Sequence, residues 1–357
     1  MARRARLVSV LQSFWNSEAP RPISTFTRSL YFKVAMSRNA AASVLRRALL
    51  YVPSSSPKFL EKSRGLKVDT VAYDLEDSVT LGNKEMARRN IVDFLKGERP
   101  KGVGELAVRI NSVSSGLALQ DLTQVLKSQH LDTLVVPKVN SASDLHFIND
   151  ILRHTLPSRH PSTPESTSNP VKILALIESA QSLINLSSIC QASPYLHGLI
   201  FAAEDFSLDL SITRTPSLDE FLYARSHIAT CARAFNIPST IDLVCTAYRG
   251  SEGLARLEEE SLQGKGLGFN GKQCIHPSQV DVVQKAFAPG EKEVEWSVRV
   301  VIADEKAEKK GKGAWTLDNK MIDAPVTGKA REVVKRAELC GFDVEAMREK
   351  WKGQEPE

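Results

Sequence analysis

The sequence predicts an α/β fold, a (β/α)8 TIM barrel with a C-terminal helical extension, and three observations carry that prediction. From Ala48 onward, short apolar or β-branched runs alternate with helical stretches of roughly ten to twenty residues, the order expected of parallel βαβ units. Eight such runs occur, and eight β/α units within about 240 residues match the size of one barrel. The runs are apolar throughout, as strands buried on both faces require. A doubly wound open sheet is the alternative arrangement of the same units.

In order, the runs are Ala48–Val52, Thr70–Asp74, Leu106–Ile110, Thr133–Val139, Val171–Ile177, Gly198–Ala203, Thr240–Cys245 and Lys272–Ile275. After the first run, Ser56-Pro57 is a helix start, because a serine side chain caps free N–H groups and proline is tolerated in the first turn. Between the sixth and seventh runs, Leu218, Phe221, Leu222, Ile228, Ala229 and Ala232 recur with a helical period across Ser217–Phe235. Leu156–Pro170 is dense in proline and serine and reads as an inert surface loop. After Pro289 come a charged helical stretch, Glu291–Lys310, a Gly-Lys linker, and Ala314–Pro325 leading into a last amphipathic helix. The expected divisions are a leader over 1–45, the barrel over 46–290 and the extension over 291–357. Inside the extension, Asp323 stands among apolar residues in Met321-Ile322-Asp323-Ala324-Pro325, unusual for a plain linker.

Of the 357 residues 42% are hydrophobic and 25% charged, which supports a full core and excludes a disordered or fibrous chain. The formal charge of +5 is unevenly spread. Nine basic residues (Arg3, Arg4, Arg6, Arg21, Arg28, Lys33, Arg38, Arg46, Arg47) precede Ala48 against Glu18 alone, and removing them leaves 38 basic and 41 acidic residues. The body is therefore slightly acidic, with no global field favouring a nucleic-acid partner. The leader, rich in Arg, Ser and Ala and poor in acids, with Leu7, Val8, Leu11, Phe14 and Trp15 at roughly helical spacing, reads as a mitochondrial transit peptide; a basic N-terminal arm is the plainer alternative. No apolar run approaches the roughly 18 residues needed to cross a bilayer, so no membrane partner is expected. The five cysteines form no C-x-x-C pair, so neither a disulfide framework nor a zinc site is signalled, and a reducing compartment such as the matrix suits them.

In a barrel of this kind the active site lies at the C-terminal ends of the strands. Six strands end in polar residues here: Asp74-Leu75-Glu76-Asp77, Arg109-Ile110-Asn111, Pro137-Lys138, Glu178-Ser179, Glu204-Asp205 and His276. Each has a structural alternative, such as Asp77 capping the next helix or Lys138 lying along the rim, but the coincidence over six strands favours a site. Glu178 and Asp205 follow the apolar strands ILALI and LIFAA, where unpaired carboxylates repel each other. A divalent cation resolves that repulsion, and hard oxygen ligands without His or Cys favour Mg²⁺ completed by water and substrate oxygens. The competing arrangement is an internal salt bridge to Arg109 or Lys138. Mg²⁺ beside an arginine suits the grip of a 2-oxo or 2-hydroxy carboxylate and a developing enolate.

These residues also carry a resemblance. Leu50-Tyr51-Val52-Pro53 with Lys58-Phe59-Leu60, Asp74-Leu75-Glu76-Asp77-Ser78-Val79, Val108-Arg109-Ile110-Asn111, Ile177-Glu178-Ser179-Ala180, Glu204-Asp205-Phe206, Leu222-Tyr223-Ala224-Arg225, Gly271-Lys272 through Ile275-His276-Pro277, and Met321-Ile322-Asp323 resemble the citrate lyase beta-subunit-like proteins of the HpcH/HpaI aldolase superfamily. The likeness spans Ala48 to Ala337, and the leader, Asn111–Leu117 and Gly311–Ala314 point to the mitochondrial branch that acts on citramalyl-CoA. The resemblance implies that Glu178 and Asp205 hold Mg²⁺ and that Arg109 holds the acyl oxygens. It further implies that Tyr51, Lys58, Lys62, Ile275 and His276 border the CoA portion, and that Asp323 is the catalytic acid/base, reaching into a neighbouring subunit of a homotrimer. The implied partners are an acyl-CoA thioester and a small 2-oxo acid. The implied reaction is retro-Claisen cleavage of citramalyl-CoA to acetyl-CoA and pyruvate, with malate synthase-like condensation in reverse. Malyl-CoA or citryl-CoA cleavage and a non-catalytic binding barrel are the alternatives. Ser54, Ala202-Ala203 and Tyr248-Arg249-Gly250 depart from the family pattern, and loss of glycine at the first two narrows backbone approach to a ligand.

Overall fold

The computed structural model describes residues 44–161, 170–311 and 313–357. Eight parallel strands close on themselves in chain order: β1 (Ala48–Pro53), β2 (Val68–Asp74), β3 (Val103–Arg109), β4 (Thr133–Val136), β5 (Lys172–Ile177), β6 (Leu196–Phe201), β7 (Ser239–Asp242) and β8 (Gly271–Cys274), which pairs back onto β1. The predicted barrel is therefore present, every expected run overlaps its strand, with ends displaced by up to three residues, and the open sheet is excluded. Leu49, Ala72, Ala107, Val135, Leu174, Leu176, Ile200 and Ile241 point inward and fill the barrel as one apolar cluster. The alternate residues of the strands join the helices in the larger outer core, which is why the runs had to be apolar on both faces. The first helix, Pro57–Ser63, starts as expected: the Ser56 hydroxyl accepts from the Phe59 N–H at 3.4 Å and Pro57 occupies the first turn.

The floor, at the N-terminal ends of the strands, is closed by charge. The Arg46 guanidinium donates twice to Glu105, at 2.7 and 2.7 Å, and once to the Ser239 hydroxyl at 2.7 Å. Thr70 and Thr133 donate to the same carboxylate at 3.0 and 2.6 Å, and Arg46 also faces the His197 ring at 3.2 Å. Arg47 pairs with Asp69 at 2.8 Å. At the closing seam, Gly271 is required because a Cβ there would run into the Arg46 carbonyl. This corrects the charge reading: Arg46 and Arg47 belong to the barrel floor, and the other seven basic residues of the leader lie outside the described residues, as does most of the proline-rich loop.

The extension builds a small core of its own. Helix Glu291–Lys309 packs on helix Ala324–Leu339 and the short helix Val344–Lys350, with Val294, Val298, Val301, Trp315, Ile322 and Val334 buried among them. The sequence reading missed the hairpin between them, β9 (Trp315–Leu317) and β10 (Lys320–Ile322), and merged the last two helices. Arg336 ties this unit to the barrel, donating to the carbonyls of Asn270 at 2.9 Å and Phe287 at 3.1 Å. Among the described residues no helix is long and apolar enough to cross a membrane.

Candidate active site

Parallel pairing puts Asp74, the last residue of β2, beside Arg109, the last of β3, so both side chains emerge at the mouth. They meet in a two-point ion pair, Nε to Oδ1 and Nη2 to Oδ2, both 2.7 Å. Burial alone would raise the Asp74 carboxyl; the Arg109 hydrogen bonds and charge outweigh it and hold the group below the usual carboxylate range. The other arm of the guanidinium, Nη1, lies 3.2 Å from both Glu76 and Asp77, and the Tyr51 ring backs the group at 4.6 Å. Tyr51 in turn donates to the Gln273 side-chain oxygen at 3.0 Å, while the Gln273 amide donates to the carbonyls of Phe201 and Asp242 at 2.8 and 3.0 Å. Arg109 is thus locked before any ligand arrives, as a preorganised charge must be.

Two more carboxylates line the same cavity without a cationic side chain paired to them among the described residues. Glu178 follows β5 and is 4% exposed; it accepts the backbone N–H of Lys138. Burial, with the charges of Glu76 and Asp205, pushes its carboxyl up to about 8. Asp205, half-buried, sits in the first turn of helix Ala203–Leu210. No ion pair among the described residues involves either group: Arg109 serves Asp74, Glu76 and Asp77, and the Lys138 ammonium serves Glu76 at 3.0 Å. The internal salt bridge considered as an alternative is therefore not formed. Lys138 aims its N–H at Glu178 from the left-handed backbone region, φ 51°, a conformation that costs a non-glycine residue about 1 kcal/mol and gathers at functional sites. Burial likewise pushes Glu76 up to about 7, against the pull of Arg109.

Tyr51, Asp74, Arg109, Glu178, Asp205 and Ile275 share one cavity of about 420 Å³. No group of three or more His, Cys, Asp or Glu among the described residues could hold a metal ion by itself, so a cation here would draw two protein carboxylates and complete its shell from water and ligand, the habit of a hard ion such as Mg²⁺. The remaining predicted residues lie outside the cavity lining. Lys58 and Lys62 are exposed one turn apart on helix Pro57–Ser63, where their ammonium groups face solvent. His276 is exposed just beyond β8, its Nδ1 2.8 Å from the Ser278 hydroxyl and its ring stacked on Tyr248 at 5.1 Å. Asp323 caps helix Ala324–Leu339, accepting the Val326 N–H at 3.2 Å, which explains an acid before Ala-Pro in purely local terms. Gln273 was missed; a lone amide inside the short run of β8 was its only signal. Of the departures, Ala202 and Ala203 line the cavity, and the buried Ser54 hydroxyl lacks a hydrogen-bond partner among the described residues.

Comparison with known proteins places this geometry among relatives. The family described as HpcH/HpaI aldolase/citrate lyase matches residues 47–277. A human protein named mitochondrial citramalyl-CoA lyase is 35% identical over 301 residues, covering 82% of this chain and 85% of that one. The citrate lyase subunit beta of Leuconostoc mesenteroides subsp. cremoris is 33% identical over 293 residues, 82% of this chain and 93% of its own. Among solved structures, the protein CitE of Mycobacterium tuberculosis in complex with magnesium, acetoacetate and coenzyme A superposes with a TM-score of 0.63 at 26% identity, covering 84% of this chain and 99% of that one.

Proposed function

This chain belongs to the HpcH/HpaI aldolase/citrate lyase family, and on that premise we propose that it is a Mg²⁺-dependent carbon–carbon lyase of CoA thioesters that cleaves citramalyl-CoA to acetyl-CoA and pyruvate. The observation that carries the reading is the pair Glu178 and Asp205, without an ion pair among the described residues and lining one cavity with an arginine already locked in place. These two carboxylates would hold the cation, which when bound supplies Lewis-acid polarisation of the substrate oxygen. Arg109, fixed by Asp74, offers its remaining N–H groups to the carboxylate of the small acid. Removal of the hydroxyl proton turns the carbinol carbon into the ketone of pyruvate; the C–C bond breaks, and its electron pair becomes the thioester enolate. Asp323 from a neighbouring subunit of a homotrimer would deliver the proton that the enolate carbon takes up, its capping role leaving the second carboxylate oxygen uncommitted. Tyr51, Lys58, Lys62, Ile275 and His276 would border the CoA portion, the two lysines as point charges for phosphate. The leader composition and the mitochondrial relatives support the matrix as the site of action.

The experiment is pyruvate release from (S)-citramalyl-CoA by the chain from Val44 onward, with Mg²⁺ and then with chelator, beside malyl-CoA and citryl-CoA. Metal-dependent cleavage strongest for citramalyl-CoA is expected. Preference for one of the other thioesters would move the assignment within the family, and no cleavage by folded, Mg²⁺-loaded protein would replace it with a binding role.

A further inference from the structure

One arginine spans from the rim of the cavity to a buried carboxylate. Arg214 follows helix Ala203–Leu210. Its Nη1 meets Glu204 at 2.6 Å, and its Nη2 donates to the Val244 carbonyl at 3.0 Å and reaches both oxygens of Glu260 at 3.2 Å. Glu204 and Val244 line the cavity. Glu260 is buried on helix Gly250–Gly266 and also faces Arg256 at 3.3 Å and the fully buried Lys272 ammonium at 3.3 Å. Three cations thus converge on Glu260, Arg256 being shared with Glu259. Arg214 is the one that also reaches the rim, where it takes the Glu204 carboxylate.

Glu204 and Asp205 are consecutive residues in the first turn of a helix, so their side chains leave it roughly 100° apart, and a first turn released from its anchor and free to rotate by about that angle would exchange them at the mouth. We propose that Arg214 is a positioning residue that partitions the two carboxylates: it neutralises Glu204 and pins the turn to the buried Glu260, so that Asp205 alone joins Glu178 at the cation. The inference rests on the reading of Glu178 and Asp205 as cation ligands. A lysine in its place keeps the charge but cannot satisfy Glu204, the Val244 carbonyl and Glu260 together, because it lacks the planar fork.

The test is calorimetric titration of Mg²⁺ into the full chain, paired with turnover of whichever thioester the wild type cleaves. Arg214→Gln should bind Mg²⁺ at least as tightly as the wild type, because Glu204 is freed toward the cation, while kcat falls roughly 10- to 100-fold from misplaced ligands. Adding Glu204→Gln to that variant should restore about 10-fold of the loss, since the competing carboxylate is gone; a role in packing alone predicts no rescue. Arg214→Lys, the milder change should Arg214→Gln fail to fold, should keep Mg²⁺ affinity and lose kcat by an intermediate factor. Failure of the double variant to recover, Mg²⁺ affinity in Arg214→Gln falling in step with kcat, or wild-type kcat in Arg214→Lys overturns the proposal. Undiminished Mg²⁺ binding by Asp205→Asn would instead overturn the ligand reading on which it rests, and is distinguished by arising with Arg214 intact.

Discussion

The buried Asp74 carboxylate has its cationic partner in the half-buried Arg109, so substitutions at Arg109 separate structure from function. Arg109→Ala strands the Asp74 carboxylate, 0% exposed, and should cost about 3–5 kcal/mol of stability by chemical denaturation. Arg109→Lys keeps the charge and should fold, yet lower kcat/KM roughly 100-fold for want of the two-point grip; an Arg109→Ala protein that unfolds at the wild-type denaturant midpoint would refute the dependence of Asp74 on Arg109. Glu178 runs the other way. Its buried carboxylate is repelled by Glu76 and Asp205, so Glu178→Gln should raise the melting temperature of metal-free protein by roughly 2–4 °C while abolishing any further rise on adding Mg²⁺. Arg109, Glu178 and Asp205 were readable from sequence because strand ends in a barrel point at one place. Asp74 was visible as a strand-end acid, but nothing in sequence says which acid an arginine will choose. Lys58 and Lys62 look like any surface residues and were singled out only through resemblance, whereas His276 was also visible as a polar residue after β8, and all three lie outside the cavity lining.

Among the elements, the floor network governs acid stability. Burial opposes the Glu105 charge, but Arg46 and its hydrogen bonds hold the carboxyl down to about 2, against 4.5 in an unfolded chain. Its contribution is therefore complete above pH 4.5 and is lost as pH falls toward 2. Burial, with Arg46 and Lys172 nearby, pushes His197 down to about 4 from 6.5; the unfolded chain takes up that proton first, so stability also falls between pH 6.5 and 4. The melting temperature should decline across that upper window, and His197→Gln should flatten the decline; an equally steep slope in the variant would refute the assignment. The strands that carry this network were foreseen within a few residues, because continuous apolar runs leave little choice of conformation. The hairpin was not, since three-residue strands have no period to detect. Its signal was the dipeptide Asp318-Asn319, with φ of 51° and 59°, the two positive values a two-residue turn of the primed type demands.

At the scale of the whole molecule, a shared site makes a prediction that no single chain can satisfy. An Asp323→Asn chain co-assembled with an Arg109→Lys chain should regain partial activity, because one mouth would then pair an intact Arg109 with an intact Asp323; activity no higher than that of the separate variants would confine each site to its own chain. The barrel could be read from sequence, as could helical structure beyond Pro289, where a second apolar cluster forms. The local reason for an acid at position 323 could not, because a capping aspartate and a catalytic one share the same residue type. The floor has one more consequence. Since Arg46 and Arg47 are woven into the end of the barrel opposite the cavity, trimming that stops before Arg46 spares the fold, whereas trimming past Arg47 pulls out the plug. Val44 is in turn a natural place to tether the enzyme to a surface or a fused partner: held there, it hangs by its closed end with the mouth open to its surroundings.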